Sequence, residues 1–169
     1  MTPSCLEMTP ARLAINLEHR KAAAHFADKS ISVLDCGSGD VSGQKPAWTR
    51  PAREYVSVDF HESRGPSVVG DLRKLPFANA AFDVVLCSQV LEHVYETTQC
   101  MEELHRVTRQ VCIIDTPFLY ECHSAPKDYW RFTTDCMERL CNEAGFHEAR
   151  ARFLSDEAIT WTEAFKESL

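Results

Sequence analysis

Five short runs rich in Val, Ile and other strand-forming residues recur along the chain: ISVLD (residues 31–35), EYVSVD (54–59), SVVG (67–70), FDVVLCS (82–88) and QVCIID (110–115). They are apolar almost throughout, so they do not alternate as a strand with one wet face would, and turn or helix signals separate them. Such a series buries itself best as a mostly parallel sheet covered by helices on both faces, with right-handed crossovers. The predicted fold is α/β, a doubly wound three-layer sandwich.

The intervening segments carry the helical signals. Thr9 followed by Pro10 predicts an N-cap and first turn, with Leu13, Leu17 and Ala24 recurring near helical spacing up to about Phe26. Val90, Leu91, Val94, Thr98, Met101, Leu104 and Val107 form an apolar stripe and predict one helix linking two strands. Another helix is expected from the capping hydroxyl of Thr133 or Thr134 through Met137, Leu140 and Ala144 to Gly145 at the C′ position. Between Pro46 and Pro51 two prolines and Trp48 leave little room for a full helix.

A length of 169 residues fits a single domain. It divides into an N-terminal helical segment (1–29), a core (31–115) and a C-terminal part beginning with a long connection (116–169). A formal charge of −7 without any basic cluster argues against nucleic acid as a partner. No apolar run approaches the roughly 20 residues of a membrane span, and no export signal is visible, so a cytoplasmic location is expected. The eight cysteines contain no C-x-x-C pair, which favours buried reduced thiols and predicts no metal site.

The stretch VLDCGSGD (33–40) is the most informative. A strand ends in Asp35 and opens into a turn holding Gly37 and Gly39, where backbone amides can approach a ligand closely. Asp59 closes the next strand 20 residues after Gly39, the place of a carboxylate that accepts the hydroxyls of an adenosine ribose. That arrangement fits dinucleotides and S-adenosylmethionine. The dinucleotide fingerprint G-x-G-x-x-G begun at Gly37 would need glycine where Ser42 stands, which sets nicotinamide cofactors second.

From about Ile31 to Phe146 the chain resembles the class I S-adenosylmethionine-dependent methyltransferases, in particular the small Rossmann-like type 11 group. GDLRKLPFANAAFDVVLCSQVLEHV (70–94) carries the likeness together with the glycine turn. The resemblance implies a "D-x-G-x-G" loop at Asp35, Gly37 and Gly39 under the methionine part of the cofactor. Asp59 would hold the ribose, with Phe60 beside the adenine. Asp71 would accept from the adenine amino group, with Leu72 offering its backbone. Ser88, Gln89 and His93 would line the methionine end and the start of the acceptor pocket. Val41 stands where the family often has a third glycine. The family commonly has two more strands where this chain shows one near residues 147–153 and a helix from Ser155, so a sheet lacking its last strand, completed by a second copy, is expected.

TPFLYECHSAPKDYWRFT (116–133) is a long connection rich in aromatic and polar side chains, at the strand ends where open α/β sheets bind ligands. It resembles a subgroup of small methyltransferases often encoded among glycan or envelope functions, which implies a small-molecule or glycan-type acceptor. Candidate acceptor-side residues are Tyr120, His123, Tyr129, Trp130 and Arg131, the last of which could instead pair with Asp128. Methyl transfer from a sulfonium is an in-line displacement, so alignment and water exclusion are the main requirements. For a hydroxyl acceptor, His123 is the first candidate base and His93 the second. Two rival readings are a methyltransferase-like partner subunit without catalysis and a nicotinamide-dependent oxidoreductase.

Overall fold

The computed structural model describes residues 9–38, 45–123 and 126–167. Its strands are β1 (Ile31–Cys36), β2 (Ala52–Asp59), β3 (Val68–Val69), β4 (Phe82–Ser88), β5 (Thr108–Pro117), β6 (Glu148–Leu154) and β7 (Ile159–Phe165). They form one sheet in the order β3-β2-β1-β4-β5-β7-β6. All neighbours pair in parallel except β7, which runs antiparallel to both β5 and β6. The doubly wound α/β sandwich is what the apolar runs required.

Side chains on a strand alternate between faces, and both faces here are covered. Leu34, Val85, Cys87, Cys112 and Ile114 point to one side, against α3 (Thr97–Val107) and α4 (Thr134–Ala144), where Met101, Leu104 and Met137 are fully buried. Val33, Val84, Leu86 and Ile113 point to the other, against Ala23 of α1 (Pro10–Ala24), Trp48 of α2 (Lys45–Trp48) and Trp161 of β7. Five of the cysteines, Cys36, Cys87, Cys100, Cys112 and Cys141, are buried free thiols, and burial pushes each of them up from the ordinary thiol range. Cys122 and Cys136 are free and exposed.

Several elements differ from expectation. The α1 cap is as expected, with Thr9 Oγ1 accepting from the Arg12 amide at 3.2 Å, but the buried face carries Ile15, His19 and Ala23 while Leu13 and Leu17 are exposed. The single helix expected from Val90 is broken: a 3₁₀ turn over Leu91–His93 precedes α3, with Val94 extended between them. Carbonyls that a continuous helix would use are taken by the 116–133 connection, since the Tyr129 amide donates to Glu92 O at 2.7 Å and Trp130 Nε1 donates to Val94 O at 3.1 Å.

The C-terminal part is a correction. No helix starts at Ser155; a tight turn with Ser155, Asp156 and Glu157 at positive φ leads straight into β7. The run ITWTEAF is rich in β-branched and aromatic residues and buries Ile159, Thr160, Trp161, Thr162 and Ala164, which outweighs the helical appearance of the polar residues before it. The sheet therefore has its last strand, and the reason for expecting a second copy to complete it is gone.

Candidate active site

The carboxyl ends of β1, β2 and β4 open onto one cleft of about 410 Å³. Gly37 sits at its floor with φ +69°, a left-handed conformation that suits glycine, and its amide donates to Val58 O at 2.7 Å. A Cβ built at Gly37 would lie 2.3 Å from Val90 Cγ2, so the turn closes only without a side chain. Asp59 ends β2 on the cleft wall, 7% exposed; its Oδ1 accepts from the His61 amide at 2.9 Å, a bond that fixes the carboxylate at the rim. Phe60 follows on the wall and is exposed, with its ring edge-on to His61.

Across the cleft, Asp71 and Leu72 leave the short β3. The Asp71 carboxylate is already engaged: Arg73 donates to it from its backbone amide at 2.9 Å, from Nε at 3.0 Å and from Nη2 at 2.7 Å, and holds the carboxyl below its usual range. Arg73 Nη1 also reaches Glu96 at 3.2 Å, tying this wall to the start of α3. Gln89 completes the cleft after β4 with φ +56°, unusual for a residue with a side chain. Its amide donates to Asp115 O at 2.8 Å and its Nε2 to Asp115 Oδ1 at 2.9 Å.

Asp115 is the centre of a buried polar chain behind the cleft. Ser88 Oγ donates to its Oδ1 at 3.0 Å, and His19 Nε2 lies 3.1 Å from its Oδ2. Trp48 Nε1, which can only donate, bonds His19 Nδ1 at 3.1 Å. That contact makes Nδ1 the acceptor, so Nε2 carries the proton and donates to Asp115. The chain Trp48–His19–Asp115–Gln89 thus joins α1 and α2 to the cleft through side chains that are fully buried up to Asp115. Asp35, also expected at the cofactor, is buried in β1 and accepts from Tyr55 Oη, so it braces the β1 end from behind instead of forming the cleft wall.

The 116–133 connection packs on the other flank. Arg131 forks onto Asp128, with Nη2 to Oδ2 at 2.7 Å, and donates to the carbonyls of Trp130 and Glu121. This pairing holds the Asp128 carboxyl well below its usual range. Arg131 is thus paired with Asp128, one of the two arrangements that the sequence left open. Trp130 stacks on Tyr95, Tyr129 lines the cleft edge-on to Tyr95, and Tyr120 stands edge-on to His123. His93 is on the cleft wall with its Nδ1 bonded to Lys127 O. Its ring meets His123 at 5.0 Å in a T-shaped contact, and burial lowers its pKa. His123 is held by its amide, which donates to Asp128 Oδ2 at 2.8 Å.

Beneath both histidines lies Glu92, fully buried, its two carboxylate oxygens without a hydrogen-bond partner among the described residues. Burial, with the nearby Asp115 and Asp128 carboxylates, pushes it up to about 8. One carboxylate oxygen of Glu92 lies 3.6 Å from His93 Nε2.

Comparison with known proteins gives this geometry its context. Residues 34–114 match the family model described as a methyltransferase domain. Over that stretch the chain is similar to the class I methyltransferases. A demethylmenaquinone methyltransferase from Mycolicibacterium paratuberculosis is 42% identical over 59 residues, 32% of this chain and 26% of that protein. A probable S-adenosylmethionine-dependent methyltransferase from Mycolicibacterium smegmatis is 33% identical over 97 residues, 50% of this chain and 37% of that one. The chain thus spans well under half the length of these relatives. Among solved structures, a SAM-dependent methyltransferase from Aquifex aeolicus superposes with a TM-score of 0.69 at 17% identity, covering 94% of each chain. Magnesium protoporphyrin IX methyltransferase from Synechocystis, crystallised with S-adenosylhomocysteine, does so with a TM-score of 0.70 at 17% identity, covering 92% of this chain and 85% of that one. These likenesses establish the fold.

Of the residues expected at the cofactor, Gly37, Asp59, Phe60, Asp71, Leu72 and Gln89 share one cleft with His93. Asp35 and Ser88 stand behind it, bonded to Tyr55 and Asp115. Gly39, and Val41 with it, lie outside the described residues. Sequence reasoning missed His19, Trp48, Asp115 and Glu92. Glu92 carried a signal, an acid beside His93 within an apolar stripe, whereas His19 and Asp115 are 96 residues apart and only the fold joins them.

Proposed function

We propose that this chain binds S-adenosylmethionine in the cleft and catalyses transfer of its methyl group to a small-molecule or glycan-type acceptor. The supporting observation is the placement of Asp59 at the end of β2, opposite a glycine turn that excludes a Cβ and beside the β3 wall bearing Asp71 and Leu72. An adenosine needs a carboxylate for the ribose hydroxyls and a polar edge for the adenine amino group, and these residues supply both. With three Arg73 donors on its roughly four acceptor sites, Asp71 keeps about one with which to accept from an adenine amino group.

S-adenosylmethionine, when bound, supplies a methyl group on a positively charged sulfur. The chain's own work is then to orient and to exclude water. Gly37 lets the β1 turn lie flat under the methionine part, Gln89 presents a fixed backbone at the β4 end, and Tyr129 and Trp130 cover the acceptor side. For a hydroxyl acceptor, His123 is the first candidate to take the proton and His93 the second. With Nδ1–H of His93 donated to Lys127 O, its Nε2 lone pair is left to accept. The glycan-type acceptor rests on the resemblance of the DYWRFT segment; the quinone named for one relative comes from an alignment covering only 26% of that protein and is not carried over.

Calorimetric titration with S-adenosylmethionine and S-adenosylhomocysteine tests the reading. One equivalent should bind, and Asp59→Ala should abolish binding while the far-UV spectrum is unchanged. Equal affinity in wild type and Asp59→Ala, or no binding by wild type, would remove the cofactor assignment. A screen of acceptors with methyl-labelled cofactor then identifies what is modified.

A further inference from the structure

Glu92, His93 and His123 come from two segments, the 3₁₀ turn after β4 and the connection after β5, and meet at one point. One ligand-type atom from each lies within 4.8 Å of the others. The carboxylate is fully buried with both oxygens unpartnered among the described residues, an unfavourable state unless a cation or a donor satisfies it. The Arg131 guanidinium, whose charge is felt at Glu92, is committed to Asp128.

We propose that Glu92, His93 and His123 form a site for a divalent transition metal of the zinc, cobalt or iron(II) type, on the acceptor side of the cleft. Two imidazoles and one carboxylate are a donor set suited to those ions and poorly suited to Mg²⁺ or Ca²⁺, which take oxygen ligands.

The surroundings agree with this assignment. Metal-bound histidines usually donate their second ring N–H to a carbonyl or carboxylate, which fixes the tautomer. His93 Nδ1 bonds Lys127 O, and His123 Nδ1 lies 3.3 Å from both Glu121 O and Asp128 Oδ2. Both rings thereby leave Nε2 as the free lone pair. The 3.6 Å between His93 Nε2 and Glu92 Oε1 is close to the ~3.4 Å expected between two ligands bound ~2.1 Å from a shared tetrahedral ion. The His123 side chain is 37% exposed and has room to close the remaining gap. Asp115 and Asp128 add negative charge around Glu92, so a dication is favoured there.

Three protein ligands leave a fourth position open, and since His93 lines the cleft, an acceptor oxygen bound there could take it. That role rests on the methyl-transfer reading; the metal site itself does not. The ligand and base roles of the two histidines use the same lone pairs, so a loaded site would orient and acidify an acceptor hydroxyl in place of a histidine base.

The test is cobalt(II) titration of the chelator-treated full chain, without cofactor or acceptor, followed by visible d–d absorption and by metal analysis after dialysis. Wild type should take up one equivalent with intense tetrahedral-type bands. Glu92→Gln, which keeps the side-chain volume, and His123→Ala in the exposed loop should each weaken uptake by at least about tenfold. Cys122→Ser should bind as wild type does. No uptake by wild type, uptake unaltered by Glu92→Gln and His123→Ala, or uptake lost only in Cys122→Ser would overturn the proposal. S-adenosylhomocysteine calorimetry on the same samples reads the cofactor cleft separately. Loss of that binding alone would count against the methyl-transfer reading and leave the metal site standing.

Discussion

Gly37 and His19 show how single residues govern the cleft from opposite sides of the sheet. A valine at position 37 meets both a disfavoured φ and the Val90 side chain, so Gly37→Val should abolish S-adenosylmethionine binding in calorimetry while the chain still melts cooperatively. His19→Ala should act differently. It strips a donor from the buried Asp115 carboxylate and an acceptor from Trp48, so it should cost about 3–5 kcal/mol in urea unfolding. His123→Ala, by contrast, should lower turnover more than cofactor affinity; turnover equal to wild type would remove His123 from the chemistry. Gly37 and Asp59 could be picked out because they close apolar strand runs that are visible in the sequence, whereas Asp71, Leu72, Gln89 and His93 were reached through the family resemblance of residues 70–94. The His19 chain could not, because a helical histidine reads the same whether it faces water or a carboxylate distant in sequence.

At the scale of elements, the strands from β1 to β5 and α4 were legible because apolar runs and a cap at each helix end leave plain marks. Thr133 Oγ1 accepts from the Cys136 amide at 3.2 Å, and Gly145 ends the helix at φ +104°. Two elements were misread for one reason: local pattern competed with a distant partner. Residues 90–96 have a helical apolar stripe, yet their carbonyls are claimed by Tyr129 and Trp130. Residues 155–158 look like a helix start, yet the following run fits only between β5 and β6. Within that strand Thr162 buries a hydroxyl that finds no partner among the described residues. Thr162→Val keeps the shape and removes the unsatisfied group, so it should raise stability by about 1 kcal/mol, measured as a higher urea midpoint with unchanged slope.

For the molecule as a whole, the end of the sheet away from the cleft is pinned by Asp83. Burial alone would raise this carboxyl. The Ser32 amide and hydroxyl, at 2.9 Å each, together with Gln110 and Arg109 outweigh that effect and hold it at about 2. A pKa below the unfolded value of ~3.9 means stability that is complete above that pH and is lost as the pH falls through the folded value. The contribution is roughly 2 kcal/mol, and Asp83→Asn should be less stable at neutral pH with a flatter stability profile between pH ~4 and about 2. Acid titration followed by circular dichroism checks both.

The antiparallel seventh strand sets the order in which the protein can be assembled. Because β7 lies between β5 and β6, a nascent chain that has emerged only as far as β6 has no neighbour to give it, and β5 stands as a bare hydrogen-bonding edge. Synthesis must therefore run through β7 before the sheet can shut. Until it does, the growing polypeptide presents the kind of open, apolar margin that invites pairing with other chains.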